Sequence, residues 1–84
     1  MYSLRFGRVV ALTRHARERM LERGVDDLTL LDVVETGRLK KVDERRLFVF
    51  KRIAGRRDNL VCAVAVEETQ LVIKTVMVNW TLRE

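Results

Sequence analysis

The amino-acid sequence predicts an α+β domain in which two short helices pack on one face of an antiparallel sheet of four strands. Two observations predict this fold. Apolar residues recur at helical spacing in residues 14–36, and strand-like runs separated by short turns follow Gly37. Consecutive strands with short turns pair antiparallel, and helices grouped before such a sheet make an α+β domain. An optional short strand over residues 9–12 gives the order β-α-α-β-β-β-β.

The length and composition fit one domain over residues 1–84. The chain has no proline and four glycines, and 48% of its residues are hydrophobic. A domain this small needs a dense core, and this apolar fraction permits one. The single cysteine, Cys62, excludes an intramolecular disulfide, and its apolar surroundings predict an inert core residue.

The first helix is predicted over residues 14–23. Thr13 can act as its N-cap, because its hydroxyl can accept a bond from an unpaired backbone N–H. Gly24 supplies the left-handed residue that helix ends often need. Ala16 and Met20 lie four residues apart and mark the side that faces the core.

The second helix is predicted over residues 27–36, with Asp26 as its cap and Gly37 ending it as Gly24 ends the first. Its apolar residues form one stripe at helical spacing: Leu28, Leu31 and Val34, widened by Leu30 and Val33.

Strand-like segments then occupy residues 38–42, 47–53, 60–66 and 70–80. The segment 60–66 is apolar without interruption, which predicts a central strand. Phe48 and Phe50 are expected in the core. Trp80 is more open to a stacking role on nucleic acid bases.

The charge predicts an anionic partner, with RNA or another polyanion first. Lysine and arginine number 17 against 12 acids, for a net charge of +5, and most of the cations are arginines, which match phosphate geometry well. The candidate nucleic-acid-binding residues are Lys40, Lys41, Arg45, Arg46, Lys51 and Arg52. On adjacent antiparallel strands they could merge into one patch, although basic residues on an edge strand also serve to prevent aggregation.

The candidate catalytic residues are His15, Arg19 and Arg23, spaced by four residues along the first helix. Two arginines can hold a phosphate while a histidine moves a proton. The structural alternative is that the arginines pair with acids of the sheet and the histidine bonds a carbonyl. The chain has no second histidine and no phosphate-binding glycine loop, so neither a metal nor a cofactor is predicted.

No segment approaches the roughly 20 apolar residues that span a bilayer, and the N-terminus does not resemble a signal peptide. A cytoplasmic location and no membrane partner are therefore the default expectations.

Residues 13–25 contain the pattern H-A-x-x-R-M-x-x-R-G followed by an aliphatic residue. This stretch resembles the opening motif of a family of small uncharacterised bacterial and phage-type domains. The resemblance continues loosely through the second helix and the strands to residue 80. That family is usually grouped with the RelE-like fold, in a set of ribonuclease toxins that includes barnase-like and colicin-like domains.

The resemblance implies helices followed by an antiparallel sheet, RNA cleavage of the toxin type and an antitoxin-like protein partner. Only His15, Arg19 and Arg23 match its motif, and the catalytic residues of the better-known RelE toxins have no clear counterparts. The leading hypothesis is an RNA-directed module acting as a metal-independent, toxin-type endoribonuclease. The alternative is a non-catalytic nucleic-acid-binding or protein-interaction domain, favoured by the lack of a second clear acid or base.

Overall fold

The computed structural model describes residues 1–78, which form two helices and a six-stranded mixed sheet. The elements in chain order are β1 Tyr2–Ser3, β2 Arg8–Leu12, α1 Arg14–Arg23, α2 Asp27–Thr36, β3 Arg38–Lys41, β4 Arg46–Arg52, β5 Asn59–Val66 and β6 Gln70–Val78. Helix α1 packs mainly on β6, and α2 packs on β4 and β5. The predicted α+β class is confirmed, and Trp80 lies outside the described residues.

The sheet differs from the prediction in strand number and in one pairing. Its order is β1-β2-β6-β5-β4-β3, and the last four strands pair antiparallel as predicted. Strand β2 lies parallel to β6, with Val10 opposite Leu71, and β1 forms an additional hairpin with β2. The four C-terminal strands alone would leave the outer edge of β6 unpaired, and β2 supplies the missing backbone partners.

The helix ends are set by local hydrogen bonds, as predicted. The side chain of Thr13 accepts a bond from the backbone N–H of Ala16 at 3.0 Å, and Asp26 accepts one from Thr29 at 2.7 Å. Gly24 has a φ of 62°, the left-handed conformation expected after a helix. Both helices therefore begin and end where the sequence indicates.

Gly37 ends α2 in a different way from Gly24. Its backbone is extended, with φ −70° and ψ 165°, so no left-handed residue is required. A Cβ atom at this position would lie 2.5 Å from the carbonyl oxygen of Val33 and 2.9 Å from that of Phe50. Glycine is needed because the end of α2 passes close to β4. The carbonyl of Gly37 also accepts a bond from Arg5 Nη1 at 2.6 Å.

One buried cluster fills the space between the helices and the sheet. Its most completely buried members are Ala16, Leu30, Val33, Val34, Val49, Leu60, Cys62, Leu71, Ile73 and Val76. Strand β5 has neighbours on both sides, so the prediction of a central strand over residues 60–66 is confirmed. Burial raises the pKa of the Cys62 thiol to about 12, in keeping with a structural role.

Leu28 lies outside the buried stripe predicted for α2. Its side chain is 80% exposed, whereas Leu30, Val33 and Val34 are buried. Two residues along a helix correspond to about 200° of rotation, so Leu28 and Leu30 point to opposite sides. The side with Leu30 is the one that meets β4 and β5.

A loop arginine holds the C-terminal end of α1. Arg56 donates hydrogen bonds to the carbonyl oxygens of Arg23 at 3.1 Å and Gly24 at 3.3 Å. Asp58 orients the guanidinium through two contacts of 2.7 and 3.0 Å. These bonds satisfy carbonyls that a helix end leaves without partners. Neither helix within residues 1–78 has the length and apolar character required to cross a membrane.

Candidate nucleic-acid interface

The sheet has one face that turns away from both helices, hereafter the helix-free face. Side chains alternate along β4, so Leu47 and Val49 enter the core while Phe48 and Phe50 point to the other side. The pairing register continues this face across the neighbouring strands. Its uncharged middle consists of Phe48, Phe50, Val61, Ala63, Ala65, Val72, Thr75 and Met77.

The two phenylalanines lie at the surface of this face rather than in the core. Both are half-buried, and neither belongs to the cluster between helices and sheet, which corrects the expectation that they are core residues. Val61 and Ala65 beside them are buried. Aromatic rings at a protein surface can stack on nucleobases of any sequence.

Basic residues border this uncharged middle. The register places Arg38 opposite Phe50 and Lys40 opposite Phe48 on the edge strand β3. The Cζ atom of Arg38 lies 5.6 Å from the centroid of the Phe50 ring, within cation–π distance. Arg46 and Arg52 lie at the two ends of β4 on the same face. Along the described strands, the helix-free face carries no carboxylate.

A fifth basic residue, Lys74, reaches this region through a β-bulge that leaves no recognisable sequence signal. The pairing of β5 with β6 shifts between Ala63 and Val64, and Lys74 falls in the irregularity. Lys74 lines a groove of about 560 Å³ together with Arg46 and Ala65, and the loop acids Asp43, Glu44 and Glu67 line it as well. Bulges often redirect a side chain in this way.

The turn between β3 and β4 balances part of the positive charge. Arg46 Nη2 lies 2.7 Å from Asp43 Oδ2, and the backbone N–H groups of Arg45 and Arg46 donate to Asp43 Oδ1. These bonds lower the pKa of Asp43 to about 2, and the bond from the Arg46 side chain contributes most. Asp43 is therefore ionised at neutral pH and offsets part of the charge of Arg46. Arg45 is exposed in the turn.

Two of the six predicted binding residues lie on the opposite side of their strands. Lys51 Nζ donates to Asp32 Oδ2 at 2.9 Å and to Thr36 Oγ1 at 2.7 Å, both on α2. The hydrogen bond from Lys51 is the main reason why the pKa of Asp32 is lowered. Lys41 is paired with Leu47, whose side chain enters the core. Lys51 therefore joins helix to sheet, and the predicted residues do not form one continuous patch.

The three candidate catalytic residues follow one flank of α1. His15 is exposed, and its side chain makes no hydrogen bond or ion pair with residues 1–78. Arg19 pairs with Glu22 of the same helix, and Arg23 Nη1 lies 3.9 Å from the same carboxylate. The Nε and Nη1 atoms of Arg23 are buried and have no hydrogen-bond acceptor. The acid beside the arginines therefore comes from α1 itself and not from the sheet.

No three His, Cys, Asp or Glu side chains in the described part of the chain lie close enough together to hold a metal ion. The chemistry available along the flank of His15, Arg19 and Arg23 is an imidazole, two guanidinium groups and the carboxylate of Glu22.

The fold and this surface define a small α+β domain with a basic, aromatic sheet face. The family model for a domain of unknown function (DUF4258) matches residues 12–78, and the chain belongs to this family. The matched region runs from the end of β2 to the end of β6, so it includes both helices and the four C-terminal strands. No curated protein and no solved structure matches the chain.

Proposed function

We propose that this domain binds single-stranded RNA through its helix-free face, as an RNA-directed module of the RelE-like type. The observation that carries the proposal is the pair of half-buried rings, Phe48 and Phe50, bordered by basic residues with no carboxylate on the described strands of that face. Phosphates would meet Lys40, Arg46 and Arg52 while bases stack on the rings.

The charge distribution favours this face over the helical layer. On α1, Arg14 pairs with Glu18 and Arg19 with Glu22, so much of the charge on that helix is balanced locally. The two helices together hold four arginines and five carboxylates, so the net charge of +5 arises outside them. The border of the helix-free face carries basic residues from three strands. An excess of positive charge attracts a polyanion.

The RelE-like part of the proposal has separate support. The helical motif around His15 resembles that of a small uncharacterised domain family usually grouped with the RelE-like fold, and two helices before an antiparallel set of strands agree with that fold. A shared fold does not determine an activity, so the RNA-binding proposal stands on the surface described above.

The first experiment measures RNA affinity against salt concentration. Binding of a labelled single-stranded RNA is followed by fluorescence anisotropy, and affinity should fall steeply as salt rises. Each phosphate contact on a single strand contributes about 0.7 to the logarithmic slope, so Arg52→Ala should reduce the slope by about that amount. Lys51→Ala is the matched control, because it removes the same charge from the neighbouring residue on the other side of the strand.

The proposal fails if the parent protein does not bind RNA at low salt, or if binding does not depend on salt. Equal effects of the Arg52 and Lys51 substitutions would also contradict it, because the two side chains then act by charge alone. Phe50→Leu keeps an apolar side chain and removes the ring. We expect it to weaken binding about tenfold through lost stacking while unfolding by urea changes little.

A second candidate function, metal-independent RNA cleavage, has one observation in its favour. The imidazole of His15 is exposed and has no partner within residues 1–78, beside two arginines of the same helix. Cleavage through the 2′-hydroxyl needs a group that accepts a proton and cations that stabilise charge on the phosphate. Arg19 and Arg23 are the cations that we propose for the second role. An antitoxin-like protein partner would accompany this activity.

The cleavage proposal is tested by digestion of RNA with a chelator present. His15→Ala should lower the rate about a hundredfold, the usual contribution of a general acid or base. Arg14→Ala is the control, since this side chain is 93% exposed on the same helix and should leave the rate unchanged. Equal rates for parent and His15→Ala, or a requirement for a divalent metal, would exclude the mechanism. Absence of cleavage would leave RNA binding as the function.

A further inference from the structure

The junction between the two helices carries an exposed apolar groove. Leu21 near the end of α1 is 81% exposed, and Leu28 near the start of α2 is 80% exposed. The groove between them has a volume of about 430 Å³, and the buried residues Met20 and Val25 contribute to its lining. Single exposed leucines are common, but two that share a groove indicate a contact surface.

Two charged residues without partners also line this groove. The side chains of Arg17 of α1 and Asp27 of α2 make no hydrogen bond or ion pair with residues 1–78. The other ionic side chains of both helices have contacts within the chain: Arg14 with Glu18, Arg19 and Arg23 with Glu22, Asp32 with Lys51, and Glu35 with the backbone of Arg5. An unpaired cation and an unpaired anion therefore lie beside the two leucines.

We propose that this groove joins two copies of the chain in a twofold-symmetric dimer. In such an interface each contact occurs twice, because residue i of one copy meets residue j of the other and the reverse. A twofold axis through the groove brings Arg17 of each copy to Asp27 of the other and sets Leu21 against Leu28. The surface is self-complementary in both charge and apolar character.

A second copy suits this groove better than RNA does. Asp26 and Asp27 line it against the single cation Arg17, so a phosphate backbone would be repelled. The net charge of +5 opposes the approach of two copies, and contact therefore requires a surface that is not strongly basic. The groove meets this condition and the helix-free face does not. The proposal goes beyond RNA binding and does not depend on it.

The test is the molar mass of the protein in solution, measured by sedimentation velocity over a wide range of concentrations without nucleic acid. We expect a reversible shift from monomer to dimer. Leu28→Asp should raise the dimer dissociation constant at least about tenfold, as loss of a central interface residue does. Leu4→Asp is the matched control, since Leu4 is 84% exposed and lies outside the groove, and it should leave the dissociation constant unchanged.

Charge reversal identifies the contact itself. Arg17→Asp and Asp27→Arg each place like charges together twice in the dimer, and each should weaken association about tenfold. The double variant exchanges the two charges and should restore association to near the parental level. Circular dichroism and urea unfolding verify that each variant folds. The proposal is overturned if the parent stays monomeric at all concentrations, if Leu28→Asp has no effect, or if the double variant does not recover.

Discussion

Replacing Gly37 with alanine tests the close approach of α2 to the sheet. A Cβ atom there would lie 2.5 Å from the Val33 carbonyl oxygen, 2.8 Å from Val49 Cγ1 and 2.9 Å from the Phe50 carbonyl oxygen. The φ of −70° is allowed for alanine, so the cost is entirely steric. Two of the three neighbours are backbone atoms, which cannot rotate away.

The expected loss is a large part of the total stability. Overpacking typically costs about 1–3 kcal/mol, and fixed backbone neighbours place this site at the upper end, about 3 kcal/mol. A chain of 84 residues is expected to have a free energy of unfolding of about 4–13 kcal/mol, at roughly 0.05–0.15 kcal/mol per residue. With an m-value of about 1 kcal/mol/M, the urea midpoint should fall by about 3 M.

Gly24→Ala provides the control for this experiment. Gly24 has a φ of 62°, and no atom lies within 4 Å of its would-be Cβ, so the substitution costs only the left-handed conformation, about 1–2 kcal/mol. Both variants are unfolded in urea and followed by far-UV circular dichroism. If Gly37→Ala costs no more than Gly24→Ala, the proposed steric role of Gly37 is wrong.

Three further measurements address the loop arginine, acid stability and the buried thiol. Arg56→Ala should lower the free energy of unfolding by about 1–2 kcal/mol, because two helix-end carbonyls lose their donor, whereas the exposed neighbour Arg57→Ala should change it by less than about 0.5 kcal/mol. The pKa of Asp43 is lowered to about 2, so its stabilisation is complete above the ordinary value near 3.8 and is lost as the pH falls through about 2. The stability difference between parent and Asp43→Asn should therefore shrink between pH 4 and 2, and a constant difference would contradict the assignment. Because burial raises the pKa of the Cys62 thiol to about 12, an aromatic disulfide reagent should react slowly in native buffer and rapidly in urea. Fast labelling of the native protein would contradict this.

The local elements of the fold can be read from the sequence because their causes are local. Thr13 and Asp26 bond to backbone groups three residues away, and Gly24 adopts the conformation that a helix end requires. The pairing of β2 with β6 is not readable in this way. It joins residues far apart in the chain, and no local preference indicates the partner or its direction.

The sequence predicts which types of residue the candidate surface contains, but it does not predict where their side chains lie. Its basic residues are evident in the sequence, but Lys51 and Arg52 are neighbours that point to opposite sides of β4. Alternation of apolar and polar residues along a strand normally reveals which side chains face the core. The four residues from Leu47 to Phe50 show no such alternation, because both sides of the strand are apolar there. The bulge that positions Lys74 depends on β5 and has no sequence signal.

RNA binding by the helix-free face is tested most directly by the ring signals of the phenylalanines. The chain has three, and Phe6 packs against the core between helices and sheet, so it is an internal control for Phe48 and Phe50. Protein labelled with ¹³C in phenylalanine is titrated with a short single-stranded RNA and followed by NMR, with signals assigned through Phe→Leu variants. We expect the rings of Phe48 and Phe50 to shift and that of Phe6 to stay in place. Shifts confined to Phe6, or no ring shift at RNA concentrations that saturate binding, would contradict the proposed interface.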